Sequence, residues 1–136
     1  MANLVIDSSV AAAWCFQEEA TSYTEGVLST VAAADEALAP RLWAYEVRNS
    51  ALLGVRRGRV TRTDARVFLE SLHELRIRLA DPVSYDRIYD VADRHGLTIY
   101  DGACLELAAR EGLPLATLDK ALIRAAAESG VAIFQP

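Results

Sequence analysis

Four acidic residues stand at positions in this chain where a folded protein could use them for chemistry. Asp7 follows the apolar residues 4–6, Asp119 follows the apolar stretch "LPLAT", and Asp101 stands where "LTIY" gives way to a helical pattern. Each aspartate has an alternative role as a helix N-cap, because a short carboxylate accepts the free N–H groups of a first turn. Ligands of open parallel sheets bind beyond the carboxyl ends of the strands. For any one of them alone capping is the better explanation, but three aspartates at one edge are less easily dismissed as caps.

Glu46, the fourth acid, is predicted to face inward. On a helix predicted over 40–58, one face repeats at helical spacing. That face carries Leu42, Tyr45, Glu46, Asn49, Leu52 and Leu53. A carboxylate is costly to bury without a partner, and Arg41 and Arg48 lie on other faces of the helix. A role in a site is favoured, and pairing with a distant arginine is the alternative.

If the four acids meet, something must neutralise them. Two like charges about 4 Å apart repel by roughly 1 kcal/mol in water and about 4 kcal/mol at an effective dielectric of 20. Oxygen ligands suit Mg²⁺ or Mn²⁺ rather than zinc, and neither His73 nor His95 has a His or Cys neighbour at ligand spacing. The hydroxyls of Ser8, Ser9 and Thr117 are near enough in sequence to offer hydrogen bonds or to hold metal-bound water, although the serines have a helix-capping alternative.

The elements that must position these acids alternate between strands and helices. Apolar runs predict strands near 4–6, 37–39, 76–80, 113–117 and 131–134. Helical periodicity predicts helices over about 8–17, 20–34, 40–58, 61–75, 85–95, 101–111 and 119–129. Pro40 is assigned to the first turn of the third helix, and four helices are predicted to end at glycines: Gly58, Gly96, Gly112 and Gly130. The pattern predicts one α/β domain over residues 1–136, with helices in two layers around a central, mainly parallel, twisted sheet.

Composition and charge limit which partners and which location the chain is expected to have. The chain has 136 residues and a net charge of -5, which does not indicate nucleic-acid binding. Its basic residues are nonetheless concentrated between Arg48 and Arg66, where they either contact phosphate or form the solvated rim of a helical hairpin. No apolar run is long enough to span a bilayer, and the N-terminus lacks a secretory pattern. Cys15 and Cys104 are expected to be buried thiols in a reducing cytoplasm.

Other folds also place acids at strand ends. Receiver domains require an adjacent acidic pair near the first strands, which this chain lacks. Haloacid-dehalogenase-like phosphatases require a second aspartate two residues after the first, and that position is Ser9. The sequence instead resembles the PIN domain, and within it the VapC-type toxins of bacterial toxin–antitoxin pairs. The resemblance rests on "VIDSSV", "APRLWAYEVRNSAL", "GLTIYDGACLELA" and "LPLATLDKALIRAA", in this order across nearly the whole chain.

The resemblance implies a PIN-like α/β/α fold and a Mg²⁺- or Mn²⁺-dependent endoribonuclease that leaves 5′-phosphate and 3′-hydroxyl ends. It assigns metal binding and catalysis to Asp7, Glu46, Asp101 and Asp119. Ser8, Asn49 and Thr117 are assigned supporting roles. A cognate antitoxin, an RNA substrate and a second copy of the chain are the implied partners, with no membrane. Gly102 stands where the family often has alanine and is expected to loosen the start of its helix.

Two alternatives to a ribonuclease stay open on the sequence. The first is a non-catalytic binding module that keeps the fold as a scaffold, which would have little reason to carry four acids. The second is a metal-dependent phosphatase acting on small phosphomonoesters. The sequence does not specify which RNA is cleaved, because RNA loops are read through local geometry around the site.

Overall fold

The computed structural model describes residues 1–33 and 36–136 of the chain. Its strands are β1 (Ala2–Ile6), β2 (Glu36–Pro40), β3 (Ile77–Ala80) and β4 (Leu115–Ala116). Its α-helices are α1 (Ser8–Cys15), α2 (Ser22–Ala32), α3 (Leu42–Arg56), α4 (Arg62–Ser71), α5 (Tyr85–His95), α6 (Ile99–Glu111) and α7 (Lys120–Ser129). Short 3₁₀ turns lie at Gln17–Glu19 and Leu72–Glu74. The end predicted for the second helix, at Ala34, lies outside the described residues.

The four strands form one parallel sheet in the order β3-β2-β1-β4. The chain moves outward from β1 to β2 and β3, and then returns to place β4 on the other side of β1. The connections that follow β1 and β4 therefore leave the sheet side by side at its carboxyl edge. In open α/β sheets this reversal of strand order is where ligands bind.

Helices cover both faces of the sheet, as predicted. Because side chains alternate along a strand, Leu4 and Ile6 face one layer of helices and Val5 faces the other. The first layer packs residues of α1, α2 and α3 on the sheet, and the second packs α6 and α7. The predicted α/β/α architecture is confirmed. In the described part of the chain, no helix has the length and apolar character needed to cross a bilayer.

Several boundary predictions are wrong. The segment 131–134 forms no regular strand and contributes one bridge, Ile133 to Leu115. Pro40 ends β2 instead of opening α3, because it pairs with Ala80 in the sheet. Three predicted glycine caps are confirmed, but α3 is capped by Arg57, and Gly58 follows with φ of 74°.

The inward face predicted for α3 is also wrong. The buried residues of this helix are Trp43, Val47, Ala51 and Gly54. Leu42, Tyr45 and Leu52 are exposed, as is Asn49, whereas Glu46 lies half-buried at the border between the two faces. The sequence has two apolar stripes on this helix, and periodicity alone does not say which of them faces the core.

Gly102 has a packing role that the sequence comparison missed. A Cβ at this position would lie 2.9 Å from the Ala92 Cβ and 3.1 Å from the carbonyl oxygen of Ile88. The missing side chain therefore lets α6 approach α5 closely. The expectation that Gly102 loosens the start of α6 is replaced by this close helix–helix contact.

Candidate active site

Asp7 follows β1 directly and stands at the N-cap position of α1, but its side chain does not cap that helix. Only 7% of the residue is exposed. Its Oδ2 accepts hydrogen bonds from the Ser9 hydroxyl at 2.6 Å and from the Thr117 hydroxyl at 2.8 Å. Two donors on one oxygen fix the carboxylate and leave Oδ1 without a hydrogen bond among the described residues. The geometry is that of a held functional group rather than of a helix cap.

Ser9 and Thr117 also join the two strand ends to each other. The Leu118 N–H donates to the Ser9 hydroxyl at 3.0 Å, and the Asp119 N–H donates to the Thr117 hydroxyl at 3.0 Å. Each hydroxyl thus accepts a backbone N–H of the segment that follows β4 and donates its own hydrogen to the Asp7 carboxylate. Thr117 thus contacts Asp7 directly, and its predicted supporting role stays a prediction. Ser9 was considered only as a general hydroxyl donor, and it is the serine that holds Asp7.

Glu46 brings α3 to the same edge of the sheet. Burial, together with the negative charges of Asp7 and Asp101, raises the pKa of Glu46 to about 7, although a hydrogen bond with the Ser8 hydroxyl acts in the opposite direction. Ser8 therefore forms a hydrogen bond with Glu46, whereas Ser9 forms one with Asp7. The pKa shift shows that Glu46 lies close enough to feel two other acids of the predicted set.

Asp101 lies in the first turn of α6, where its N–H donates to the capping Thr98 hydroxyl at 3.1 Å. Burial, together with the charges of Asp7 and Asp119, raises the pKa of Asp101 to about 6, although the hydrogen bond with Thr98 acts in the opposite direction. Thr98, and not Asp101, is the N-cap of this helix. The Asp101 carboxylate is consequently not used as the cap and can interact with the other acids.

Asp119 caps a helix and also contributes charge to the cluster, and its predicted role in metal binding stays a prediction. Its Oδ1 accepts the Leu122 N–H at 2.9 Å and caps α7, and its charge also contributes to the pKa of Asp101. Capping at one oxygen does not occupy the other. The four acids predicted from the sequence are therefore electrostatically linked through Asp7 and Asp101.

The donor chemistry of this cluster fits a hard divalent cation. In the described residues, no arginine or lysine forms an ion pair with any of the four carboxylates. Among the described residues, no group of three or more His, Cys, Asp or Glu side chains is already arranged to hold a metal ion. Carboxylate oxygens are the ligands that Mg²⁺ and Mn²⁺ prefer. The oxygen donors of the four acids thus suit such an ion, although their present arrangement does not enclose one.

Asn49 lies one turn beyond Glu46 on α3 and is exposed. It lines a depression of about 480 Å³ together with Glu46, Arg48 and Tyr100. The structure gives it no hydrogen bond that would identify a structural role. Its predicted supporting role stays a prediction.

The hydrogen bonds to Asp7 lead to a stability prediction. Thr117→Val keeps the side-chain shape but removes one donor from a buried carboxylate and the acceptor for the Asp119 N–H. We expect the free energy of unfolding to fall by about 2 kcal/mol, because hydrogen bonds to charged groups contribute roughly 1.5–3 kcal/mol. Urea unfolding measures the loss, and Thr117→Ser is the matched control that keeps the hydroxyl. A valine variant as stable as the serine variant would show that this hydrogen bond does not stabilise the site.

The structure is that of an α/β domain with an acidic site. Its parallel sheet lies between two helical layers, and the carboxylates gather where the strand order reverses. The family model for the PIN domain matches residues 4–128. The chain is 36% identical to Ribonuclease VapC3 from Pyrobaculum aerophilum over 124 residues, which cover 88% of this chain and 92% of that protein. The chain therefore belongs to the PIN domain family and, within it, to the VapC ribonucleases.

Solved structures agree with this assignment. PAE2754 from Pyrobaculum aerophilum superposes with a TM-score of 0.73 and 25% identity, over 91% of this chain and 84% of that one. FitAcB from Neisseria gonorrhoeae has the same fold, with a TM-score of 0.65 and 20% identity, over 98% of this chain and 97% of that one. The family resemblance stated from the sequence is confirmed.

Proposed function

We propose that this chain is a Mg²⁺- or Mn²⁺-dependent endoribonuclease, the toxin of a toxin–antitoxin pair, and that it hydrolyses RNA phosphodiester bonds. The observation that carries the proposal is that Asp7, Glu46, Asp101 and Asp119, from separate segments of the chain, lie at one edge of the sheet. Burial raises the pKa of Glu46 and of Asp101, and the charges of neighbouring acids of this set add to both shifts. Such repulsion is unfavourable for folding, so its retention in a VapC relative supports a function that needs concentrated negative charge.

Asp7, Glu46, Asp101 and Asp119 would hold the ion. When bound, it would supply an activated water and offset the charge that develops on the phosphodiester. The chain's own contribution is orientation. Ser9 and Thr117 fix Asp7 so that Oδ1 is presented, and the cap on α7 fixes Asp119 through its Oδ1. Asn49, exposed one turn from Glu46, would orient a water or a carboxylate.

The RNA backbone would be held by arginines near the end of α3 and the start of α4. Arg59 is not among them, because it pairs with Glu18 and Glu19 and lies 4.0 Å over the Phe16 ring. The other members of the cluster are exposed and form no ion pair with a described residue: Arg48, Arg56, Arg57, Arg62 and Arg66. Unpaired guanidinium groups suit bidentate phosphate contacts. The negative net charge of the chain is thus compatible with local phosphate binding.

The remaining parts of the proposal concern partners and location. A cognate antitoxin would neutralise the acidic site, a second copy would form a homodimer, and the protein would act in the cytoplasm. The likeness to Ribonuclease VapC3 supports only the antitoxin among these assignments, through the family to which both chains belong. The free cysteines, with Cys104 buried, are compatible with a reducing compartment.

Cleavage of RNA with mapped ends tests the proposed activity. A labelled pool of RNA oligonucleotides is incubated with the protein and Mg²⁺ or Mn²⁺, and the new ends are sequenced. We expect internal cuts with 5′-phosphate and 3′-hydroxyl ends, which disappear when EDTA removes the metal. Asp101→Asn protein, purified in parallel, controls for contaminating nucleases.

Two further measurements separate the alternatives. Hydrolysis of p-nitrophenyl phosphate without RNA cleavage would indicate a phosphatase for small phosphomonoesters. Calorimetry that detects no Mn²⁺ binding at millimolar metal, together with intact RNA, would indicate a non-catalytic binding module. Either result would contradict the proposed ribonuclease.

A further inference from the structure

Polar side chains that the acidic site does not use tie α7 to the end of α5. We call this group the α7 clasp and define it as four residues: His95, Arg124, Glu128 and Ser129. His95 is the last residue of α5, and the other three lie on α7. The His95 side chain is only 11% exposed. The α7 clasp therefore joins two helices that are separated in sequence by the whole of α6 and β4.

Two hydrogen bonds between the helices hold the α7 clasp together. Arg124 Nη2 donates to the carbonyl oxygen of His95 at 2.9 Å. The Ser129 hydroxyl lies 3.0 Å from His95 Nε2. Because that hydroxyl donates its one hydrogen to the Ala125 carbonyl oxygen at 2.7 Å, it accepts the Nε2–H of His95. Both the backbone and the ring of His95 are thus bonded to α7.

The second ring nitrogen of His95 does not contribute a hydrogen bond. Nδ1 is buried and has no hydrogen-bond partner among the described residues. Glu128 Oε2 lies 3.7 Å from it, which is beyond hydrogen-bond distance. The bond from Nε2 to Ser129 is consequently the contact by which the ring holds α7.

A short connection leads from His95 to Asp101. Gly96 caps α5 with φ of 65°, and the Leu97 N–H donates to a carbonyl of the last turn of α5 at 2.9 Å. Thr98 then caps α6 and accepts the Asp101 N–H. Because the residues of this connection are held by these bonds, the position of His95 is coupled to that of Asp101.

On the other side of the α7 clasp, α7 carries Asp119 at its N-cap. The buried residues of α7 are Leu122, Ala125 and Ala126, which pack with residues of α6. Apolar contacts are non-directional, and two of these three side chains are small. They hold α7 against the domain but do not by themselves fix its rotation or its shift along its axis. Hydrogen bonds are directional, and the α7 clasp supplies them.

We propose that the α7 clasp sets the separation between Asp101 and Asp119, and with it the affinity of the acidic site for its divalent cation. The inference rests on the proposed function for the presence of that cation. His95 is a positioning residue, since its hydrogen bonds go to α7 and not to an acid of the cluster. Residues that orient metal ligands from outside typically change metal affinity 10–100-fold when they are replaced. The α7 clasp acts through two helices, so an effect of about tenfold is expected.

Binding of Mn²⁺ to the full chain without RNA tests the α7 clasp, with the free ion measured by electron paramagnetic resonance. His95→Ala removes the ring that bonds Ser129 and is expected to weaken Mn²⁺ binding about tenfold. His95→Gln keeps an N–H that can reach the same hydroxyl and is expected to bind Mn²⁺ within about twofold of the wild type. Arg94→Ala is the matched control, because Arg94 precedes His95 on α5, is exposed and forms no ion pair with a described residue.

Ser129→Ala removes the other partner of the same bond and keeps the test decisive if His95→Ala does not fold. It is expected to weaken Mn²⁺ binding as much as His95→Ala, and the double variant no more than either single variant, because all three lose one shared bond. At saturating Mn²⁺ the folded variants should cleave RNA within about threefold of the wild-type rate, since the four acids are intact. A loss of affinity with a recovered maximal rate separates positioning from a general loss of structure.

Amide hydrogen exchange in EDTA follows the position of α7 without metal. The Leu122 N–H, which Asp119 caps, is expected to exchange at least tenfold faster in His95→Ala than in the wild type, and at the wild-type rate in His95→Gln. Unchanged exchange in His95→Ala overturns the inference, as does unchanged Mn²⁺ affinity in a folded His95→Ala. A loss in His95→Gln as large as that in His95→Ala also overturns it.

The two proposals fail in different ways. A wild type that binds no Mn²⁺ and leaves RNA intact contradicts the proposed function, whereas faster Leu122 exchange in His95→Ala would still support the control of α7 by the α7 clasp. Metal-dependent RNA cleavage with the same Mn²⁺ affinity in the wild type and in His95→Ala supports the ribonuclease and contradicts the α7 clasp as a positioning device.

Discussion

Asp101→Asn is expected to lower metal-dependent RNA cleavage by on the order of 10³-fold. The substitution keeps the shape of the side chain and leaves the N–H bond to Thr98 in place, since that bond comes from the backbone. What it removes is one negative charge from the group that would hold the cation. The same change relieves repulsion with Asp7 and Asp119. The metal-free variant should therefore unfold at the same or a slightly higher denaturant concentration than the wild type.

The combination of these two results is what tests the site. Initial cleavage rates at saturating Mn²⁺ give the activity, and urea unfolding in EDTA gives the stability. Asp93→Asn is the matched control, because Asp93 is exposed on α5 and outside the cluster. A variant that cleaves RNA at the wild-type rate would remove Asp101 from the catalytic assignment. A variant that is inactive because it is unfolded would show a structural role instead.

Sequence reasoning predicted the edge of the sheet at which the acids meet, because strand ends and strand order follow from local patterns. It could not decide between a cap and a site for Asp7 and Asp119, since both roles use an aspartate before a helix. The decision depends on distant residues. Asp7 is held by Thr117, 110 residues away in sequence, whereas Asp119 keeps its capping bond as well.

Glu46 was selected through an incorrect face of α3. The sequence assigned Leu42, Tyr45 and Leu52 to the core, and the structure buries Trp43 and Val47 instead. Glu46 remains half-buried because it lies at the border between the two stripes. An apolar stripe indicates that something covers it, and the cover is either the protein's own core or a partner. Only the three-dimensional structure could show that one apolar stripe of α3 faces the core and that the other faces outward.

The two serines after Asp7 show the limit of sequence spacing more sharply. Ser8 and Ser9 are adjacent and identical in chemistry, yet Ser9 bonds Asp7 and Ser8 affects Glu46. Their side chains point about 100° apart around α1. Which of them meets which acid depends on how α1 packs against α3, and this packing is not encoded in the local sequence pattern.

The stability of the metal-free protein is expected to fall as pH rises from about 4 to 8. In the folded state the pKa values of Glu46 and Asp101 are raised to about 7 and about 6. The folded protein therefore holds protons that the unfolded chain releases near pH 4. Their stabilising contribution is complete below the unfolded pKa values and is lost as pH rises through 6 and 7. At about 1.4 kcal/mol per pKa unit, and allowing for coupling between the acids, the loss is on the order of 3 kcal/mol.

Glu46→Gln should remove much of this pH dependence. Glutamine carries no charge at any pH, so the variant should equal the wild type near pH 4.5 and exceed its free energy of unfolding by about 2 kcal/mol at pH 8. The exposed acids Asp81 and Glu18 act in the opposite direction. The hydrogen bond from Arg41 lowers the pKa of Asp81, and a backbone hydrogen bond together with the hydrogen bond from Arg59 lowers that of Glu18. Both pairs are present in both proteins, so their effects cancel in the difference.

Urea unfolding in EDTA at one protein concentration, from pH 4 to pH 8, measures that difference. Glu70→Gln, on the exposed side of α4, is the matched control and should follow the wild type at every pH. Adding Mg²⁺ should reverse the order of stability above pH 7, because the cation binds the ionised cluster of the wild type more tightly than that of the variant. A pH-independent difference between Glu46→Gln and the wild type would mean that Glu46 does not share the charge of Asp7 and Asp101, and the cluster would then lack its fourth member.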